Sequence, residues 1–155
     1  MQQTVLAIFA HPDDESFGPG GTLALLAQKH EVHLLCVSKG ESGEVEGYTE
    51  PKEKAAVRQQ EAKKAAKILG IKSVHFLNFH DGLLCNNHYH QMAEQIKKKI
   101  AALNPSLLIT FEPRGFTGHL DHVLVSHVTT YVFQNTASVR KVLYYCLDEK
   151  QRAVV

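Results

Sequence analysis

Five apolar runs of strand length alternate with longer helical patterns along the chain. Val5–Ala10 (VLAIFA) is continuously apolar, as expected of a strand buried on both faces. Gly20–His30 reads as a helix and Val32–Ser38 (VHLLCVS) as a second strand. A polar loop follows over Lys39–Glu50. Pro51 then opens a long Ala/Lys/Glu-rich helix to Leu69, with Gly70 as its stop. The third strand is Val74–Asn78, followed by the loop Phe79–Asn87 and an amphipathic helix from His88 to Leu103. Leu107–Glu112 (LLITFE) is the fourth strand, Pro113–Gly118 a loop, and Leu120–Gln134 a helix. Val142–Leu147 is the fifth strand, with a short polar tail.

Strand–helix alternation at this spacing implies a mostly parallel sheet with helices on both faces, since parallel neighbours need crossover connections. The expected class is a Rossmann-like three-layer α/β/α domain over residues 1–155, with strand order 3-2-1-4-5. In that order strands 1 and 4 are neighbours and the connection direction reverses between them. Ligands in open α/β sheets bind at such a crevice, beyond the carboxyl ends of the strands. The loops that begin at His11 and at Pro113 are therefore where chemistry is expected.

Composition narrows the partners. Seventeen basic residues against 16 acidic ones leave a formal charge of +1, with no basic footprint for nucleic acid or an anionic membrane. No apolar run approaches the roughly 18 residues of a membrane span, and the N-terminus lacks a signal-peptide pattern. Cys36, Cys85 and Cys146 are widely spaced, which argues against a disulfide scaffold or a thiolate metal site. The expected setting is the cytoplasm.

Both selected loops are rich in metal-ligating groups. The first reads His11-Pro12-Asp13-Asp14-Glu15; the second leads into His119-Leu120-Asp121-His122. A catalytic zinc takes about three protein ligands and keeps one position open, and two histidines with a carboxylate are an established set. His11, one of Asp13 and Asp14, and one of His119 and His122 would supply it. The second aspartate could act as general base, and the remaining histidine could stabilise an oxyanion. Asp121 could orient that histidine. Taken singly, each of these residues could equally be a helix cap or a solvated loop residue. The same His₂–carboxylate set also suits Fe(II).

Ala10-His11-Pro12-Asp13-Asp14-Glu15 together with His119-x-Asp121-His122 resembles the two motifs of the PIG-L/LmbE-type N-deacetylases. Lys39–Gly43, Arg58-x-x-Glu61 and Asp81-Gly82 stand in family-like places. The resemblance implies a zinc-dependent deacetylase of N-acetylglucosamine-type amides. His11, Asp14 and His122 would hold the zinc, and Asp13 would be the general base on zinc-bound water. His119 would stabilise the oxyanion, with Asp121 setting its orientation and pKa. Arg58 and Asp81 match positions that contact the sugar in relatives. The implied partner is a small N-acetyl amino sugar or its conjugate, and a homo-oligomer is compatible with the family. Its members usually continue well beyond the fifth strand, whereas this sequence stops about eight residues after it. A metal-binding module without turnover is the rival reading.

Other features carry less. Arg114 lies in the strand-4 loop, within reach of a substrate hydroxyl or carboxylate. Glu15 suits a loop-stabilising role at least as well as a catalytic one. His33 and His75 fall inside strands and read as satisfied, half-buried residues. Gly18-x-Gly20-Gly21 lies too far past its strand for a dinucleotide fingerprint, and the adjacent carboxylates would repel a pyrophosphate.

Overall fold

A computed structural model describes residues 2–147. The polar tail from residue 148 onward lies outside the described residues. Five parallel strands form one sheet: β1 (Thr4–Phe9), β2 (Glu31–Cys36), β3 (Ser73–Phe76), β4 (Leu107–Phe111) and β5 (Lys141–Tyr145). Their spatial order is β3-β2-β1-β4-β5, as the alternation of elements predicts. The register pairs Phe9 with Cys36 and Ala7 with Ile109, so β1, β2 and β4 end near one another. β1 and β2 are almost wholly buried, and β5 at one edge is alternately exposed and half-buried.

The helices are α1 (Asp14–Phe17), α2 (Gly20–Ala27), α3 (Pro51–Leu69), α4 (Tyr89–Leu103), α5 (Gly115–Gly118) and α6 (Leu120–Gln134). Helices α2 and α3 pack together, and α4 packs against α6, giving a layer on each side of the sheet. Met92, Ala93, Ile96 and Ile100 form the buried stripe of α4 at helical spacing. Toward the sheet α3 buries only alanines, Ala55, Ala62 and Ala66, which lets its backbone approach closely. Gly70, left-handed at φ 75°, ends it. No helix among the described residues is long and apolar enough to cross a membrane.

Two one-turn helices stand where loops were expected. α1 forms because the Asp13 carbonyl accepts from the backbone N–H groups of Ser16 and Phe17, at 2.8 and 3.0 Å. α5 contains a non-helical residue, Phe116, at φ 66°. Neither is announced by the hydrophobic period.

Candidate metal centre

β1 delivers His11 to the crevice directly from the core, where Val5 through Ala10 are fully buried. The chain then reverses sharply. The backbone N–H of His11 donates to Asp14 Oδ2 at 2.8 Å, so Asp14 folds back over the strand end. Asp13 takes φ 137°, a region that side chains rarely adopt. Glu15 is fully buried; it accepts the Asp13 N–H at 3.1 Å and the Ser16 hydroxyl at 2.7 Å. Its place is the loop-stabilising one.

From the other side, α6 brings His122 and Asp121. The His122 ring lies parallel on Phe111, 4.1 Å between centroids and 6° between planes, and its Nδ1 donates to the Gly115 carbonyl at 3.0 Å. That bond fixes the tautomer and leaves Nε2 as a free acceptor. Gly115, at φ 74°, sits so close that a Cβ there would lie 2.8 Å from the Val123 nitrogen.

His11 is settled in the same way. Its Nε2 lies 2.9 Å from Asp81 Oδ1 and 3.1 Å from Asp121 Oδ2, so Nε2 carries a proton and Nδ1 faces His122 and Asp14. Burial alone would lower the pKa of this imidazole. The hydrogen bonds to Asp121 and Asp81 and the charge of Asp14 outweigh burial, and the ring is pushed up to about 10.

Three ligand-bearing side chains thus converge. His122 Nε2 lies 3.2 Å from His11 Nδ1 and 3.2 Å from Asp14 Oδ1, and His11 Nδ1 lies 3.6 Å from Asp14 Oδ2. Tetrahedral zinc with bonds of about 2.0–2.1 Å needs ligand–ligand edges of about 3.3–3.4 Å. The His11–His122 edge approaches that length, while the two edges to Asp14 end on different oxygens of one carboxylate; a cation held there would displace the Nδ1 proton of His11. His11, His119 and His122 also present ligand atoms within 4.8 Å of one another, as do His11, Asp81 and Asp121. In the first of these sets His119 can offer only Nε2, because Nδ1 accepts the Asp121 N–H. In the second the carboxylates hold the His11 N–H.

His119 is the N-cap of α6, and its Nδ1 accepts the Asp121 backbone N–H at 3.1 Å. The ring therefore carries its hydrogen on Nε2. Burial and the neighbouring rings of His11 and His122 lower its pKa, which favours the neutral form. The ring packs 5.0 Å from His11 and 4.9 Å from His122.

The Asp121 side chain departs from expectation. Its carboxylate turns to His11 and accepts the backbone N–H groups of Gly82 and Leu84, at 2.8 and 3.2 Å. It makes no side-chain bond to His119. Near neighbours on a helix turn do not face one another, whereas the loop after β3 offers two N–H donors. Asp81 lies beside it and accepts the Ser42 N–H at 3.1 Å. Arg58, from α3, donates to Asp13 Oδ2 at 2.5 Å and to the Pro12 carbonyl at 2.8 Å. Burial raises the pKa of the Asp13 carboxyl, and Arg58 opposes that rise. Arg114 stands apart, exposed and bonded to Glu112 at 3.2 Å, in a recess with Phe116 and Gly118.

A cavity of about 250 Å³ opens at the donor triangle, lined among others by Asp13, Phe17, Phe111 and Thr117. Asp13 and Phe17 also border a larger recess of about 470 Å³ that continues to Gly43, Arg58 and Glu61. Residues 6–133 match the family profile described as "PIG-L: GlcNAc-PI de-N-acetylase". The chain belongs to the PIG-L family.

A PIG-L relative from Bacillus anthracis, named "Probable N-acetyl-alpha-D-glucosaminyl L-malate deacetylase 2", is 34% identical over 78% of this chain and 55% of its own length. The N,N'-diacetylchitobiose deacetylase of Pyrococcus horikoshii superposes with a TM-score of 0.78 at 27% identity, covering 85% of this chain and 49% of that one. The 4-carboxy-2-hydroxymuconate hydratase GalB of Pseudomonas putida KT2440 superposes with a TM-score of 0.71 at 26% identity, covering 86% and 56%. The chain spans about half the length of the curated relatives it matches. The PIG-L fold thus carries more than one reaction, and chemistry has to be argued from the site.

Several PIG-L site features were not legible in the sequence. The Phe111 ring under His122, the Gly115 carbonyl and the N–H groups of Gly82 and Leu84 act through shape or backbone, which no residue type advertises. Ser42 and Glu41 bracket Asp81, with Glu41 Oε1 accepting its N–H at 3.1 Å. The glycines around those two residues were the available signal.

Proposed function

We propose that the protein is a metal-dependent hydrolase that removes the acetyl group from an N-acetylated amino sugar or its conjugate. The observation that carries this reading is the donor triangle of His11, Asp14 and His122 beside the Asp13 carboxylate. These three residues would hold a zinc ion. When bound, zinc lowers the pKa of a coordinated water to about 7 and polarises a carbonyl.

The remaining work falls to the chain's own groups. Asp13, with a carboxyl raised by burial, accepts the proton of the attacking water at an oxygen that Arg58 orients. His119 offers its Nε2–H to the oxyanion of the tetrahedral intermediate, as a neutral donor. Asp13 then returns its proton to the departing amine. Asp121 and Asp81 act from behind by fixing the His11 tautomer. Arg114 is exposed on the rim, where a substrate hydroxyl or carboxylate can reach it. Unpaired cysteines, two of them exposed, suit a cytoplasmic enzyme.

The test is acetate and free-amine release from N-acetylglucosaminyl malate and diacetylchitobiose, using chain loaded with zinc, loaded with Fe(II) or freed of metal. Release that depends on metal is expected. Stoichiometric metal without release would favour a binding module that lacks turnover.

A further inference from the structure

The space around the donor triangle is divided by chemical character. The cavity of about 250 Å³ has His11, Asp14 and His122 in its wall, with Asp13 beside them. Its remaining lining is Phe17, Gly18, Phe111, Phe116 and Thr117, none of them charged. The recess of about 470 Å³ shares Asp13 and Phe17 with that cavity but adds Ser16, Glu44, Arg58 and Glu61, all able to hydrogen-bond. Between the two stands the Phe17 ring, 84% exposed and bordering both.

An amide carbonyl has two substituents, and they leave it in different directions. With the carbonyl at Asp13, the hydroxyl-bearing amine side matches the recess, where Arg58 and Glu61 can meet its hydroxyls. The alkyl side of the acyl group matches the phenylalanine-lined cavity, where removal from water favours it. An acetyl group brings only one methyl. Taking about 30 Å³ for each water-sized group, a methyl, a carbonyl and a bound water together fill about a third of the cavity.

We infer that this cavity is an acyl subsite with room for chains longer than acetyl, so that the substrate class extends to N-butanoyl and N-hexanoyl amino sugars. The inference rests on the reading of the protein as a hydrolase of N-acylated amino sugars. The reaction is the same for each chain. Water adds to the carbonyl carbon and the C–N bond breaks; the water oxygen stays in the carboxylate and a proton goes to the amine. Phe116, whose ring packs on Tyr145 at 4.8 Å between centroids, is a fixed part of the wall, and Thr117 is an exposed part.

Free amine released by zinc-loaded protein from the methyl glycosides of N-acetyl-, N-butanoyl- and N-hexanoylglucosamine measures the preference. Each buried methylene is worth about fourfold in binding. The kcat/KM for N-butanoyl should therefore exceed that for N-acetyl by about tenfold, mostly through KM. A value at or below that for N-acetyl overturns the inference. T117F places a ring in the cavity wall. Thr117 makes only a 3.4 Å bond to the His119 N–H, so the variant should fold and bind zinc as the wild type does. It should reverse the preference, with N-hexanoyl losing about tenfold more than N-acetyl. An unchanged order of the three chains overturns the inference.

A crystal structure of zinc-loaded protein soaked in hexanoate gives a second readout that needs no turnover. The alkyl chain is expected among Phe17, Phe116 and Thr117; a chain in the larger recess, or no bound hexanoate, overturns the inference. Should none of the three glycosides release amine, the hydrolase reading fails, and the position of hexanoate still decides whether the cavity takes an alkyl chain.

Discussion

Asp121 Oδ2 and His11 Nε2 meet at 3.1 Å across 110 residues of chain, and this contact ties the first turn of α6 to the end of β1. The same carboxylate accepts two backbone N–H groups from the loop after β3, so one side chain joins three loops. Asp121→Asn replaces one acceptor oxygen with an NH₂ that faces donors. It should destabilise the fold by about 1–3 kcal/mol, the cost of an unsatisfied buried group. It should also weaken zinc affinity by about 10–100-fold, as loss of an outer partner to a ligating histidine does. Chelator competition and thermal melting measure the two effects, and unchanged affinity would remove Asp121 from the metal's support.

His122 and Asp13 should separate cleanly. His122→Ala deletes a donor and the stack on Phe111, and should abolish stoichiometric zinc. Asp13→Ala leaves all three donors and should retain zinc while losing acetate release. Metal analysis of the purified variants checks this, and full zinc in both would refute the ligand set.

Asp13 also predicts an inverted stability order. Alanine in a helix or strand normally outlasts glycine, because glycine loses more backbone freedom on folding. At φ 137° the sterics reverse. Asp13→Gly should therefore melt above Asp13→Ala, by about 1–3 kcal/mol of released strain less the entropy cost of glycine. Equal melting of the two variants would mean that the turn relaxes without strain.

A second polar chain lies away from the metal centre, on β2 and β3. Lys99 Nζ is 3.2 Å from His75 Nδ1, His75 Nε2 is 2.8 Å from Ser73 Oγ, and Ser73 Oγ is 2.7 Å from His33 Nδ1. Lys99 can only donate, so the consistent assignment has both imidazoles neutral. Burial, then Lys72, lowers the His33 pKa against the pull of Glu31; burial, then Lys99 and His33, lowers that of His75. Below the ordinary value of 6.5 the unfolded chain binds these protons more readily than the folded one. Stability is thus complete above that value and is lost as pH falls through the folded values. His11, pushed up to about 10, acts in the opposite sense and only above 6.5. The melting temperature of metal-free protein should fall from about pH 6.5 to about pH 5, and His75→Gln should flatten that slope. An unchanged slope in the variant would exclude the pair as its source.

The sheet order and the crevice were legible because continuous apolar runs and amphipathic stretches announce strands and helices directly. His11, Asp14 and His122 were legible as candidates because they share those two loops. What the residues do to one another was not. The positive φ of Asp13 and Phe116 leaves no mark on the hydrophobic period. Asp121 seemed destined for its neighbour His119, yet two N–H groups from the loop after β3 and the ring of His11 claim its carboxylate. Arg58 and Arg114 look alike as charges, but one is bonded to Asp13 and to the Pro12 and Gly40 carbonyls at the wall of a recess, and the other is exposed and bonded only to Glu112.

The all-parallel sheet gives the molecule two unlike rims. Every donor and carboxylate of the metal centre leaves the carboxyl ends of β1, β2, β3 and β4. Among the described residues the opposite rim carries the turns that enter β2 to β5: Lys29-His30, Gly70–Lys72, Asn104–Ser106 and Thr136–Arg140. A surface tether, a fluorophore or an inserted peptide placed in those turns would sit a full strand length from the chemistry. The protein could be immobilised there with its crevice facing outward, and libraries that vary substrate preference could be confined to the other rim without disturbing the sheet.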